Sequence, residues 1–142
     1  MSIIVAFQHI QDYNIFTIMN VSSNPPEEQL ATILKALGQP VRIQIVLIIG
    51  EQDACVCHLE AILGLRQARI SQHLMALRKA GIVTTNREGR HIYYQLENPK
   101  ILDVIYQFAE AATIDVEPLK SLAQQTDLNC ICPRCANEAA GC

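Results

Sequence analysis

The chain of 142 residues is short of several things that would point to other classes. No lysine or arginine precedes Lys35, so no basic segment introduces an apolar leader, and a secretory signal is not expected. No uncharged apolar stretch approaches the ~20 residues a membrane-spanning helix needs. No internal repeat is visible, which argues against a solenoid. Basic residues are also scarce, eleven against fourteen acidic ones, for a formal net charge of −3. A protein binding nucleic acid through its overall charge is thereby excluded. The expected setting is the cytoplasm, without a membrane partner. In a reducing compartment six cysteines are better explained as ligands or redox thiols than as disulfides.

Half of the residues are hydrophobic, enough for one domain with a real core. The few cations are unevenly placed. Between Arg66 and Arg90 lie Arg66, Arg69, Arg78, Lys79, Arg87 and Arg90 against Glu88 alone, a local charge of +5. One basic side on an acidic chain is the footprint of a nucleic-acid face.

The same window has a recognisable pattern. Cys55-Val56-Cys57-His58-Leu59-Glu60 opens a helical segment, Gly64-Leu65-Arg66 forms a tight connection, and a second helix begins near Gln67. Helix, short glycine-containing turn and helix make a helix-turn-helix. In the second helix Ile70, Leu74 and Leu77 form one apolar stripe to be packed inward. The other face carries Ala68, Arg69, Gln72, Ala76 and Lys79. Small residues permit close approach, and Gln and Arg can read base edges in a major groove. Two β-prone runs, residues 82–86 and 91–96, then flank Arg87-Glu88-Gly89-Arg90. That is a hairpin, and its tip is suited to phosphates or a minor groove. The fold expected is mainly α with a small β-hairpin, a winged helix-turn-helix.

Around it, Pro25-Pro26-Glu27-Glu28 opens a helix with Leu30, Ile33, Leu34 and Leu37 on its apolar face, ended by Gly38. Proline and acidic residues are favoured in a first turn. Pro40 begins a second helix whose Val41, Ile43, Val46, Leu47 and Ile49 leave little polar face, so it belongs at the centre. Asn98-Pro99 precedes a last long helix with Ile101, Leu102, Ile105, Phe108 and Ala109 as its stripe. Three segments follow: residues 1–24 as an N-terminal extension, 25–112 as the winged domain, and 113–142 as a cysteine-containing tail with a short helix near Leu119–Leu122. The extension reads either as an extra dimerisation helix or as a poorly ordered segment.

The run over residues 65–83, with Ser71, His73-Leu74 and Leu77-Arg78-Lys79-Ala80-Gly81, resembles the DNA-reading helix of the ArsR/SmtB metal-sensing repressors. Cys55-Val56-Cys57 resembles the arsenic-sensing branch of that family. The resemblance covers roughly residues 27–112. It implies a homodimer, pairing its first and last helices across a two-fold axis, bound to double-stranded operator DNA. Two recognition helices would then meet half-sites ~34 Å apart. It also implies As(III) as the inducer, with Cd, Pb or Zn as alternatives, and no organic cofactor. The candidate DNA-contacting residues are Arg66, Gln67, Ala68, Arg69, Ser71, Gln72, His73, Lys79, Arg87 and Arg90.

The sequence departs from that family in three places. Glu60 stands where the arsenic-sensing prototypes have a third cysteine. Arg66 replaces the serine that commonly caps the recognition helix; arginine is a poor N-cap, so a phosphate contact is expected of it. No histidine follows His91, and Asp103 is followed by Val104 and Ile105, so the zinc site of the last helix is missing.

Thiolates select thiophilic ions. On a regular helix Cys55 and Cys57 would point ~200° apart, so sharing one ion requires an extended or distorted helix start. The expected ligands are Cys55 and Cys57, with a third from Cys130, Cys132 or Cys135. Several alternatives stand beside this. The pair packs as small hydrophobes; or the tail forms its own zinc knuckle from Cys130, Cys132, Cys135 and Cys142; or the thiols sense oxidation. A thiol-exchange enzyme would place its active pair in a βαβ setting, and nothing around Cys132-Pro133-Arg134-Cys135 reads that way. Enzymatic activity is not expected.

Overall fold

The computed structural model describes residues 24–50, 52–125, 130, 132 and 133. The chain divides into two compact units, residues 1–32 and 33–142. Of the first, the described part is the start of helix α1, Pro26–Leu37. Pro25 O accepts from the N–H groups of Glu28 and Gln29 at 3.0 and 3.1 Å, and Thr32 Oγ1 donates to Glu28 O at 2.9 Å. Glu27 and Glu28 complement the positive end of the helix dipole and Lys35 the negative end. The extension proposed over residues 1–24 lies, Asn24 apart, outside the described residues.

Helix α2, Pro40–Ile49, is the centre of the larger unit. Ile45 to Ile49 are five consecutive buried residues, as its lack of a polar face requires. Burying each such side chain is worth ~1.5–3 kcal/mol. The chain then forms a two-residue strand β1, Ala54–Cys55, and turns straight into helix α3, Val56–Leu63. Gly64 ends α3 in the left-handed region (φ 64°), its N–H bonded to Glu60 O at 2.8 Å, a conformation that glycine alone adopts without penalty.

Helix α4, Gln67–Lys79, buries Ile70, Leu74 and Leu77, the stripe its spacing demands. Strands β2, Val83–Glu88, and β3, His91–Leu96, pair antiparallel from Val83↔Leu96 to Glu88↔His91. Their turn is thus tighter than the sequence suggests, with Arg87 and Glu88 still in the strand. The sheet order is β1-β3-β2, so β1 adds a third strand on the inner edge. Nothing in the sequence announced it, because two residues carry no periodicity.

Helix α5, Lys100–Ala111, begins where Asn98 Oδ1 accepts the Lys100 N–H at 3.1 Å. Its apolar stripe divides in two. Leu102 and Ala109 are buried in the core, whereas Val104 and Phe108 are 56% and 72% exposed. A short helix α6, Glu117–Ala123, returns to pack on α2 through Leu119, Leu122 and Ala123. The tail comes back into the fold a second time: Cys130 and Cys132 are buried with Cys55 and Tyr93 in a small cluster separate from the main core.

Candidate metal centre and nucleic-acid interface

The thiol cluster starts from the backbone of β1. Cys55 is extended (φ −84°, ψ 164°) and is also the N-cap of α3, its sulfur accepting the His58 N–H at 3.4 Å. The helix start is therefore the non-helical shape that a shared ion requires. Cys55 Sγ lies 3.6 Å from Cys57 Sγ and 3.5 Å from Cys130 Sγ. The sulfurs of Cys55, Cys130 and Cys132 all lie within 4.8 Å of one another. Two sulfurs on one tetrahedral ion with bonds of ~2.3 Å stand ~3.8 Å apart. The donor set therefore fits a thiophilic ion.

Burial is the main influence on Cys55, pushing its thiol far above the ordinary range. The His58 N–H opposes this, and the thiols of Cys132, Cys130 and Cys57 add to it in smaller measure. Without a cation, Cys55 is therefore favoured as the neutral thiol. A thiophilic cation would take up the sulfurs as thiolates, with release of protons.

The gathered thiols overlap the expected set. The structure brings two tail cysteines, Cys130 and Cys132, to Cys55. Cys57 is exposed, with its sulfur 3.6 Å from Cys55 Sγ. Cys135 and Cys142 lie outside the described residues. The presence of both tail thiols had a signal that went unused: Cys130-Ile131-Cys132 repeats the spacing of Cys55-Val56-Cys57, and residues two apart share a side wherever the chain is extended.

The cluster is wired to the rest of the fold by hydrogen bonds. Cys55 pairs with Tyr93 of β3, and Tyr93 pairs on its other edge with Asn86 of β2. Beside them Gln95 Nε2 donates to Asp53 Oδ2 at 2.7 Å, tying β3 to the residues leading into Cys55. One residue is therefore at once a strand partner of the wing, the cap of the helix-turn-helix and a member of the thiol cluster.

Arg66, Gln67, Ala68, Arg69, Gln72 and Lys79 are exposed along α4 and its entrance, and α4 carries no acidic residue. Ser71 and His73 are half-buried at the edge of this face, as is Ala76. Arg66 occupies the N-cap position without a capping bond from its side chain. Arg87 and Arg90 are exposed at the wing tip, where Arg87 Nε donates to Gly89 O at 3.2 Å. Met75 is 63% exposed on α4, an apolar surface residue the sequence reading did not single out.

A buried three-helix core, an exposed basic helix after a tight turn and a two-stranded wing define a winged helix-turn-helix regulator. Residues 39–85 match the family described as "Bacterial regulatory protein, arsR family". The chain is 40% identical over 84 residues to the HTH-type transcriptional repressor SmtB of Mycobacterium tuberculosis, covering 57% of this chain and 62% of that protein. It is 40% identical over 76 residues to the arsenic resistance transcriptional regulator ArsR1 of Pseudomonas putida, covering 51% and 59%. The match thus spans about three fifths of each of these two relatives. The transcriptional repressor BigR of Xylella fastidiosa superposes with a TM-score of 0.54 at 33% identity, over 60% of this chain and 87% of that one. The chain belongs to the arsR family of bacterial regulatory proteins. Among the described residues no single helix is long and apolar enough to cross a membrane.

Proposed function

We propose that the protein is a homodimeric repressor that binds operator DNA through α4 and the wing and leaves it when As(III) binds its cysteines. The observation that carries this reading is the position of the thiol cluster. Three sulfurs within 4.8 Å of one another include the N-cap of the first helix of the helix-turn-helix, and that same residue is paired in register with strand β3 of the wing. An ion that draws Cys130 and Cys132 onto Cys55 acts on both DNA-contacting elements through one residue. A working switch needs a coupling of ~1–3 kcal/mol between ion and DNA, which the displacement of a few phosphate or base contacts supplies.

Dimerisation is supported by the apolar residues left outside the core. Leu30 and Leu34 of α1 are each 57% exposed, and Val104 and Phe108 of α5 are exposed likewise. These are the helices that pair across the two-fold axis in the family the chain resembles.

A second reading is favoured by Cys57. Its sulfur, 3.6 Å from Cys55 Sγ, offers a fourth ligand, and four thiolates suit Cd, Pb or Zn better than a three-coordinate arsenic. The deciding experiment titrates the reduced protein with arsenite, cadmium, lead and zinc while following release from operator DNA, and counts sulfur ligands by X-ray absorption. The reading predicts release at the lowest concentration by arsenite with three sulfurs bound. Release by cadmium or zinc alone, with four sulfurs, establishes the second reading instead.

A further inference from the structure

A second cavity, of about 800 Å³, opens at the entrance to α4, well apart in sequence from the thiols, and is lined by Gln39, Arg42, Arg66, Arg69, Gln72 and His73. Among the described residues that line it there is no acidic group. Arg42 belongs to α2, the buried central helix, and nothing assigns it a part in binding. Its Nη1 donates to Ala36 O at 3.1 Å, which holds the guanidinium in place. Its Nε is buried without a hydrogen-bond partner, and so is Nε2 of His73 across the same cavity. Polar groups left in this state cost free energy unless a ligand completes them. Burial first, then the charges of Arg42 and Arg69, push the His73 imidazole below its usual pKa. An anion in the cavity would offset the charges of Arg42, Arg66 and Arg69, which line it with no acidic group among them.

We propose that this cavity seats one phosphodiester of the bound DNA, held by Arg42 from α2, by Arg66 at the N-cap of α4 and by Arg69 within it. The inference rests on the DNA-binding reading and adds to it a clamp between the central helix and the recognition helix. The ligand is a phosphate oxyanion, for which guanidinium groups offer matched paired donors. A backbone phosphate, rather than a free anion, is favoured because exposed Gln72, a base-reading candidate, lines the same opening. The seat would fix how deeply α4 enters the groove while carrying no sequence information of its own.

The test combines Arg42→Gln with duplexes in which single phosphates are neutralised as methylphosphonates, using the full-length reduced protein. We expect the slope of log K against log salt to fall by about 1.8 in the variant, about 0.9 for the one phosphate lost at each half-site of the dimer. Affinity should drop roughly tenfold on specific and random DNA alike. One phosphate per half-site should matter to the wild type and no longer to the variant, with the other phosphates unaffected. If Arg42→Gln fails to fold through loss of its bond to Ala36, Arg66→Gln carries the same comparison from an exposed position. An unchanged salt slope, or unchanged sensitivity to every neutralised phosphate, overturns the seat while leaving DNA binding in place. So does binding of inorganic phosphate to the free protein at this site without effect on the slope, since that marks a free-anion site. A wild-type protein that binds no duplex at any salt overturns the functional reading itself.

Discussion

At the scale of the residue, Cys55 concentrates the account. Its φ and ψ belong to a strand, its sulfur caps a helix, and its neighbours are two thiols 75 and 77 positions further along the chain. A buried thiol with a strongly raised pKa binds its proton more tightly in the folded than in the unfolded state. Its contribution to stability is therefore complete below the unfolded value of ~8.5 and is lost as the pH rises above it. The ion-free protein is expected to lose stability progressively above about pH 9, and Cys55→Ala to lose less, as denaturant midpoints across a pH series would show. Ion binding runs the other way. It displaces protons, so the affinity for arsenite should increase with pH, and calorimetry in buffers of different ionisation enthalpy should detect proton release. Affinity independent of pH and no proton release would mean that the sulfurs were not the ligands.

At the scale of the element, much was legible in the sequence. The stripe Ile70, Leu74, Leu77 and the five buried residues of α2 obey periodicity and composition. Gly64 marks a helix end for a reason of backbone geometry. What escaped was whatever depends on distant partners. Strand β1 exists because β3 offers it hydrogen bonds, and a two-residue segment has no local preference strong enough to declare itself. The divided stripe of α5 is of the same kind, since a sequence cannot say which apolar residues meet the core and which meet another chain. The tail thiols were visible as a cluster, but their number at the site was not. Half-buried Arg42 is the one cation of α2, and only the fold brings it to the same cavity as His73.

The division of labour between α4 and the wing leads to a mutational contrast. Arg69→Ala or Gln72→Ala should weaken binding to the specific operator by ~1–3 kcal/mol and binding to random DNA by less. Arg87→Ala or Arg90→Ala should weaken both alike and flatten the salt dependence. Anisotropy titrations on both duplexes over a range of salt distinguish the two patterns; identical behaviour of helix and wing variants would contradict the assignment.

At the scale of the molecule, the proposed sensor depends on the tail. Among the described residues of 113–142, α6 packs on the core and Cys130 and Cys132 are buried with Cys55 and Tyr93. Holding that segment in place costs conformational entropy, which metal–thiolate bonds offset when the ion is present. Truncation after Asp127 should accordingly leave operator affinity nearly unchanged while raising the arsenite concentration needed for release by tenfold or more, matching the ~1–3 kcal/mol of a typical coupling. Full induction of the truncated protein would make the tail a bystander.

The most direct measurement follows operator release by arsenite in the wild type beside a variant in which Cys55, Cys130 and Cys132 are all serine, both fully reduced. Fluorescence anisotropy of a labelled operator selected from random DNA reports the bound fraction in each case. The account predicts equal operator affinity without arsenite, complete release of the wild type as arsenite is added, and a variant that stays bound throughout. A variant released at the same arsenite concentration as the wild type would contradict it.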